Sequence, residues 1–469
     1  RLGNESLPPK MRVVLACFAA AAAIESVNAF SAPALSTMRL GNVRSVSSIG
    51  APAVAPRARA AHTQPRMSGK EAVKEVVKER TVRAPVFDEV CEQTGITLSR
   101  YMMEVSRANP EMRDLESLMG GIQQACKTIA NLVDRATITG MVGYESGGGS
   151  INIQGEEQKK LDVVTNDVIK RALKFTGKVG VIASEEEDKP VFNKDAYRVP
   201  GGEGKYQDVL ADIGTKYVTV FDPLDGSSNV DANIPTGTIF GVYEEKESMD
   251  NCEIGDTGAV DGGCLMNTLQ PGDSLVCSGY CLYSSSCMFV FTVGSGLQGF
   301  TYDRAIGEFV LTHPNIMIPK RGKIYSMNEA NRWNWDKPLQ EYVTALQTAQ
   351  GETKTQYTSR YIGSMVGDVH RTLLYGGIFA YPSDQKNPDG KLRLLYEAAP
   401  MSFLIEQAGG LSLTGKTRIM DLVPQKVHQR VPFLAGSYDD VMEMRSYYDA
   451  CDDPEIIKRC LARMEGSAK

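Results

Sequence analysis

The chain has 469 residues, a formal charge of −6 and 23% charged residues. That length suits one large or two ordinary domains with filled cores, and a mild negative charge without any long single-sign block argues against a nucleic-acid partner. The ten cysteines form no CxxC pair and there are only four histidines, so a structural zinc site is not expected.

In chain order, Met11 opens "MRVVLACFAAAAAIESVNAF", whose apolar run over 13–24 is too short to span a bilayer. Small residues before Phe30 suit signal-peptide cleavage near Ala29, giving a signal peptide over about 11–29. Residues 30–70 are rich in Arg, Ser, Ala and Pro and resemble a transit peptide. The pair resembles the bipartite leaders of algae with secondary plastids. A plain secretory signal followed by a disordered linker is the alternative. The expectation is a disordered leader over 1–70, a plastid location and no membrane segment in the mature form; residues 1–10, which precede Met11, are expected to lie outside the natural product.

Order is expected from about Leu98. Leu115, Leu118, Met119, Ile122, Cys126, Ile129 and Val133 recur at three- and four-residue steps and predict an amphipathic helix. "KKLDVVTNDVIKRALKFTG" predicts another, ending at Gly177. "KVGVIAS", "KYVTVFD" and "GTIFGVY" read as strands, and "QPGDSLVCSGYCLYSSSCMFVFTVGSGLQGF" as two adjacent strands whose cysteines are core residues. "SMVGDVHRTLLYGG" and "SFLIEQAGG" read as helices closed by glycine. This is a layered α/β pattern with mixed sheets, in halves over 95–310 and 311–469. A stretch over 198–215 reads only as a surface loop.

Chemistry concentrates in "FDPLDGSSNVD" (221–231). The strand before it is expected to stop at Pro223, leaving Asp222 and Asp225 in a turn. Two such carboxylates repel unless a cation lies between them or one is protonated. Mg2+ takes hard oxygen ligands, and the carbonyl of Leu224 can join them. Gly226 permits close backbone approach, and Ser227 and Ser228 offer hydroxyls and N–H groups where a phosphate could bind. Taken alone, the stretch equally suits an Asx-type turn with solvated carboxylates. Further acids follow other apolar runs: Glu185 and Glu186, Glu397 near Lys391 and Arg393, and Asp162 at a helix start. Carboxylates at several strand ends can meet at one sheet edge, and together they describe a site for two or three metal ions.

These motifs, with "SEEED", "IYSMNEAN", "SRYIGSMVGDVHRTLLYGGIFAYP", "GKLRLLYEAAPMSFLIEQAGG" and "VHQRVPFLAGS", resemble the fructose-1,6-bisphosphatase family, class I, plastid type, from Leu98 to the end. The resemblance implies an α-β-α-β-α sandwich with two mixed sheets, and Mg2+-dependent hydrolysis of the phosphate at carbon 1 of fructose 1,6-bisphosphate, with Mn2+ as a substitute ion. It implies Glu185, Asp222, the Leu224 carbonyl, Asp225, Glu397 and Asp162 as metal ligands, two to three ions per subunit, and Asp162 with Glu186 as helpers in activating water. It further implies Gly226, Ser227, Ser228 and Arg393 around the reacting phosphate. Asn328, Tyr361, Tyr381 and Lys391 would hold the sugar and distal phosphate, and Arg360 would reach a neighbouring subunit of a homo-oligomer, tetramer or dimer. The family's loop aspartate is Glu156 here, and a tyrosine of animal members is Asn331.

Two departures bear on regulation. At the AMP site of animal members the matching positions are Met112, Glu116 and Glu244, with Lys216 and Tyr217 kept. Added carboxylates repel a phosphate, so AMP is expected to inhibit weakly or not at all. The acidic, Gly-rich loop over 244–272 holds Cys252 and Cys264. The resemblance to plastid members implies a thioredoxin-switched disulfide there, the family's third cysteine being Leu269; two unpaired surface thiols are the alternative. Competing functions are a sedoheptulose-1,7-bisphosphatase, an inositol-monophosphatase relative, and a silent regulatory protein on the same scaffold.

Overall fold

The structure is a computed structural model that describes residues 95–143, 159–192, 198–201, 205–208, 216–246, 265 and 267–467. The leader calls, Glu156, Cys252 and Cys264 lie outside the described residues. Among the described residues no helix is long and apolar enough to cross a membrane.

The expected apolar stripe forms α2 (Arg113–Asp134), which follows α1 (Leu98–Ala108) and precedes a short turn, α3 (Ala136–Thr139). The second periodic stretch forms α4 (Lys160–Phe175), and Gly177 follows at φ 64, the left-handed position that ends helices. The larger sheet has eight strands. They are β1 (Val179–Ser184), β2 (Val191–Phe192), β5 (Tyr217–Asp225), β6 (Thr236–Glu244), β7 (Leu275–Tyr283), β8 (Cys287–Thr292), β9 (Gln298–Asp303) and β10 (Glu308–His313), in the order β10-β9-β8-β7-β6-β5-β1-β2. Only β1 and β5 pair in parallel there. Residues 198–215 are not a plain loop: β3 (Arg198–Gly201) and β4 (Lys205–Asp208) form an antiparallel hairpin. The expected two-strand reading of 270–300 also fell short, since β9 is a third strand; Gly299 is its second residue, where a Cβ would sit 3.0 Å from His313.

The smaller sheet runs β12 (Thr358–Ser359), β11 (Ile324–Ser326), β13 (Ile378–Tyr381), β17 (Phe433–Gly436), β15 (Leu411–Leu413). It mixes parallel β11 pairings with antiparallel β13–β17 and β15–β17 pairings. A two-residue pairing, β14 (Leu392–Arg393) with β16 (Arg430–Val431), stands apart. The remaining helices are α5 (Lys337–Gln347), α6 (Met365–Tyr375), α7 (Ala399–Gln407), α8 (Tyr438–Asp449) and α9 (Pro454–Ser467).

Side-chain alternation sorts these into five layers. Leu98, Leu115, Ile122 and Ile169 of α1, α2 and α4 pack with Phe221, Phe240 and Phe289 on one face of the large sheet. Ile239, Tyr280 and Val290 on the opposite face meet Val366 and Val369 of α6 and Leu404 of α7, and these helices also meet Phe379 and Phe433 of the small sheet. The neighbours Ile378, Ala380 and Leu434 point the other way, onto Leu339 and Tyr342 of α5 and Met444 of α8. The order is α-β-α-β-α, as expected. Cys126, Cys277, Cys281, Cys287 and Cys460 are buried, and Cys451 is half-buried.

One close approach seats α6. A Cβ on Gly237 of β6 would lie 2.7 Å from both Val366 methyl groups and 2.8 Å from its Cβ, so backbone must move. Gly237→Ala is expected to cost about 1–3 kcal/mol by overpacking, read as a lower urea midpoint with unchanged slope. An unchanged midpoint would show that α6 accommodates the methyl group.

Candidate active site

The site begins with strand register. In the parallel β1–β5 pair Ser184 lies opposite Phe221, and the Glu185 N–H donates to the Phe221 carbonyl at 3.2 Å. The residue after β1 is thereby set beside Asp222. The acidic turn corrects one expectation: β5 does not stop at Pro223 but runs to Asp225 through a register shift between Asp222 and Asp225. Such a bulge re-aims side chains. Pro223, which cannot donate to a ladder, uses its carbonyl to accept from Thr238 Oγ1 at 2.9 Å. Asp222 Oδ1 accepts the Leu224 N–H at 2.9 Å, so an Asx-type turn does exist, but its carboxylate is buried, not solvated.

Glu397 arrives from the other half of the chain, on a wide π-type turn at Leu394–Ala398 that leads into α7. Oxygens of Asp222, Asp225 and Glu397 all lie within 4.8 Å of one another, a geometry that could hold a metal ion. Asp222 and Glu397 are each 2% exposed and Asp225 9%. The Glu185 carboxylate lies beside Asp222 and pairs with Arg393 Nη2 at 2.6 Å. Arg393 Nη1 stands 3.6 Å from Glu397, whose carboxylate also accepts the Arg393 N–H. Asp225 Oδ2 accepts the Val366 N–H at 3.2 Å, tying it to the start of α6. Gly226 then adopts φ 72 and Ser227–Ala232 form a 3-10 turn.

Asp162 stands at the head of α4. Its Oδ2 accepts the Lys159 N–H at 2.9 Å and faces Ser227 Oγ at 3.3 Å. Burial, with the nearby charge of Glu186, pushes its pKa up to about 7. Burial lifts Asp225 to about 6, against the Val366 N–H that favours its charged form. Asp222 is raised well above the usual range by burial and then by Glu185, Asp225 and Glu397.

A cavity of about 480 Å³ opens over these groups. It is lined by the expected Asp162, Glu185, Glu186, Asp222, Leu224, Asp225, Gly226, Ser227, Ser228, Tyr361, Tyr381, Lys391, Arg393 and Glu397. Two expected residues are not brought to it. The Asn328 side-chain Oδ1 accepts the Ala330 N–H, capping a 3-10 turn, and Arg360 is exposed with its guanidinium on the Ser359 carbonyl. Two residues were missed. Lys159 lines the cavity and pairs with Asp231 at 2.8 Å, so Asp231 anchors α4. Asp368, fully buried, accepts from the Ile362 and Gly363 N–H groups, Ser326 Oγ and Arg371, and so shapes the turn after Tyr361. Its only signal was an acid inside an otherwise apolar helix start.

The family model for "Fructose-1-6-bisphosphatase, N-terminal domain" matches residues 96–314, and that for the C-terminal domain matches 318–449. The chain belongs to the fructose-1,6-bisphosphatase family. These enzymes are phosphoric monoester hydrolases, metal-dependent and typically oligomeric. The chloroplastic fructose-1,6-bisphosphatase of Spinacia oleracea is 47% identical over 355 residues, 75% of this chain and 81% of that protein. The cytosolic one of Oryza coarctata is 47% identical over 356 residues, 76% of this chain and 94% of that protein. The crystal structure of Leishmania major fructose-1,6-bisphosphatase in holo form superposes with TM-score 0.66 at 39% identity, covering 76% of this chain and 99% of that one.

A raised carboxylate pKa has a definite consequence for stability. The unfolded chain releases these protons near pH 4, while folded Asp162 keeps its proton to about pH 7. Between those limits the folded state holds more protons, so stability falls as pH rises. Cation-free protein is therefore expected to melt at a higher temperature at about pH 6 than at about pH 8. A divalent cation should raise the melting temperature more at the higher pH, where it replaces the missing positive charge. A melting temperature that rises with pH over this window in the presence of a chelator would contradict the burial of these acids.

Proposed function

We propose that the chain hydrolyses the phosphate at carbon 1 of fructose 1,6-bisphosphate with Mg2+, or Mn2+ in its place, as a plastid enzyme of carbon fixation. One observation carries the catalytic reading: among the described residues, seven carboxylates line the cavity, against Lys159, Lys391 and Arg393 as its cations. A sugar bisphosphate would be repelled there without added positive charge. Asp222, Asp225, Glu397, Glu185 and the Leu224 carbonyl are the oxygen donors for such ions, with Asp162 at the edge. The bound cations supply Lewis-acid neutralisation of the phosphate and its leaving oxygen. Ser227, Ser228 and Arg393 hold the reacting phosphate, the guanidinium as a fork. Asp162, with its proton balanced near neutral pH, takes a proton from the attacking water, helped by Glu186. Tyr361, Tyr381 and Lys391 border the same cavity on the side for the sugar and distal phosphate. Asn328 joins them only if its cap on Ala330 is released, and exposed Arg360 is free to reach another subunit of a homotetramer or dimer.

Regulation extends the proposal. At the effector position of animal members, Glu116 accepts from Ser106 Oγ at 2.5 Å, and Lys216 is taken up by the Glu111 carbonyl and, at 3.8 Å, by Asp114. A nucleotide phosphate finds added negative charge and an engaged lysine, which supports insensitivity to AMP. Strand β6 pairs with the bulged end of β5 and ends at Glu244, ahead of the stretch of sequence that holds Cys252 and Cys264; a thioredoxin-reducible disulfide there would act on the site through β6.

Glu397→Gln is expected to lower phosphate release from fructose 1,6-bisphosphate by about 10²-fold or more, as for loss of another preorganised electrostatic group. Activity near that of the parent would remove Glu397 from the ligand set. The same assay should stop with a chelator and return with Mg2+. It should run slower on sedoheptulose 1,7-bisphosphate and ignore millimolar AMP.

A dithiol should stimulate the oxidised parent, and Cys252→Ser/Cys264→Ser should be equally active with and without it. A dithiol response that survives in that double variant places the switch elsewhere.

A further inference from the structure

The carboxylates of the site come from segments far apart in the chain, and one side chain outside the cavity touches the neighbours of two of them. His428 lies on the loop over 422–429, just before β16. Its Nε2 is 3.0 Å from the Glu187 carbonyl and its Nδ1 is 2.7 Å from the Tyr396 hydroxyl. A carbonyl only accepts, so Nε2 carries the proton, and neutral Nδ1 accepts from the tyrosine. Both bonds are satisfied in one neutral tautomer. The ring also stands edge-on to Tyr396, with centroids 5.8 Å apart at 71°.

Each partner sits beside a proposed metal ligand. Glu187 closes the turn that carries Glu185 and Glu186, its N–H donating to Ser184. The Glu187 carboxylate accepts from Asn166 and Lys170 of α4, the helix that begins with Asp162. Tyr396, fully buried, precedes Glu397 on the π-type turn. The rest of the loop holds that turn from its other end. The Leu394 N–H donates to the Gln429 carbonyl at 2.7 Å, and Arg430 lies opposite Arg393 in the β14–β16 pairing.

We infer that His428 is a positioning residue that fixes the Glu185 turn and the Glu397 turn at the separation a shared cation requires. The inference rests on the ligand set proposed above. Outer partners that orient metal ligands typically contribute 10–100-fold in metal affinity, and mutual repulsion opposes the approach of these acids before any ion binds.

The test is Mn2+ binding to the whole chain without substrate, followed by electron paramagnetic resonance of free Mn2+. His428→Phe keeps a ring against Tyr396 and deletes both bonds; its Mn2+ dissociation constant is expected to rise about 10-fold. His428→Gln, whose amide can still donate to the Glu187 carbonyl, should recover part of that loss, and Tyr396→Phe should give a smaller loss. The Mg2+ concentration for half-maximal activity should rise with the Mn2+ constant, while the rate at saturating Mg2+ changes little. A purely structural role would lower the melting temperature and leave the Mn2+ constant of folded protein alone. A folded His428→Phe protein that binds Mn2+ within about twofold of the parent overturns the inference. A parent chain that binds no Mn2+ overturns the ligand set and the inference together.

Discussion

Everything in this molecule answers to the repulsion among buried carboxylates that it gathers at one point. Unit charges 4 Å apart repel by about 4 kcal/mol even at an effective dielectric of 20, and Asp222, Asp225 and Glu397 meet within 4.8 Å with Glu185 beside Asp222. A chain that folds these groups together must hold them by contacts stronger than their mutual aversion. Arg393 and the Val366 and Leu224 N–H groups are part of that hold, and burial, which favours the protonated forms of Asp222, Asp162 and Asp225, eases the repulsion further.

The backbone supplies the rest. A parallel register sets Glu185 beside Asp222, and a bulge bends the end of β5 so that Asp225 turns to the same place. A widened turn delivers Glu397. All three are departures from, or ends of, regular structure, where side chains are free to converge because no ladder dictates their spacing. The phosphate-side residues then follow from chain continuity, since Gly226, Ser227 and Ser228 come directly after the bulge.

Much of this was legible in the sequence because the acids sit directly after apolar runs, and apolar runs report strands. Glu185, Asp222, Asp225 and Glu397 were readable for that reason, as were the periodic helices and the layered order. What resisted reading depends on partners distant in the chain. Pro223 signals a strand end on its own, and only pairing with β6 makes it part of a bulge. The opening of β9 is glycine-rich and polar, so its strand character comes from β8 and β10 on either side. Lys159 and Asp368 are unremarkable residues in sequence, and their place at the cavity is set by Asp231 and by the turn after Tyr361. Asn328 was named for its motif, yet local hydrogen bonding to Ala330 claimed its side chain.

The helices α6 and α7 lie between the two sheets and fill hydrophobic volume shared by both. Matching on one side alone cannot satisfy them. The segments matched by the two family models, 96–314 and 318–449, thus share one hydrophobic layer. A half borrowed from a distant relative would bring its own contours to that middle layer, and drift in either sheet is answerable to the other across the same few side chains.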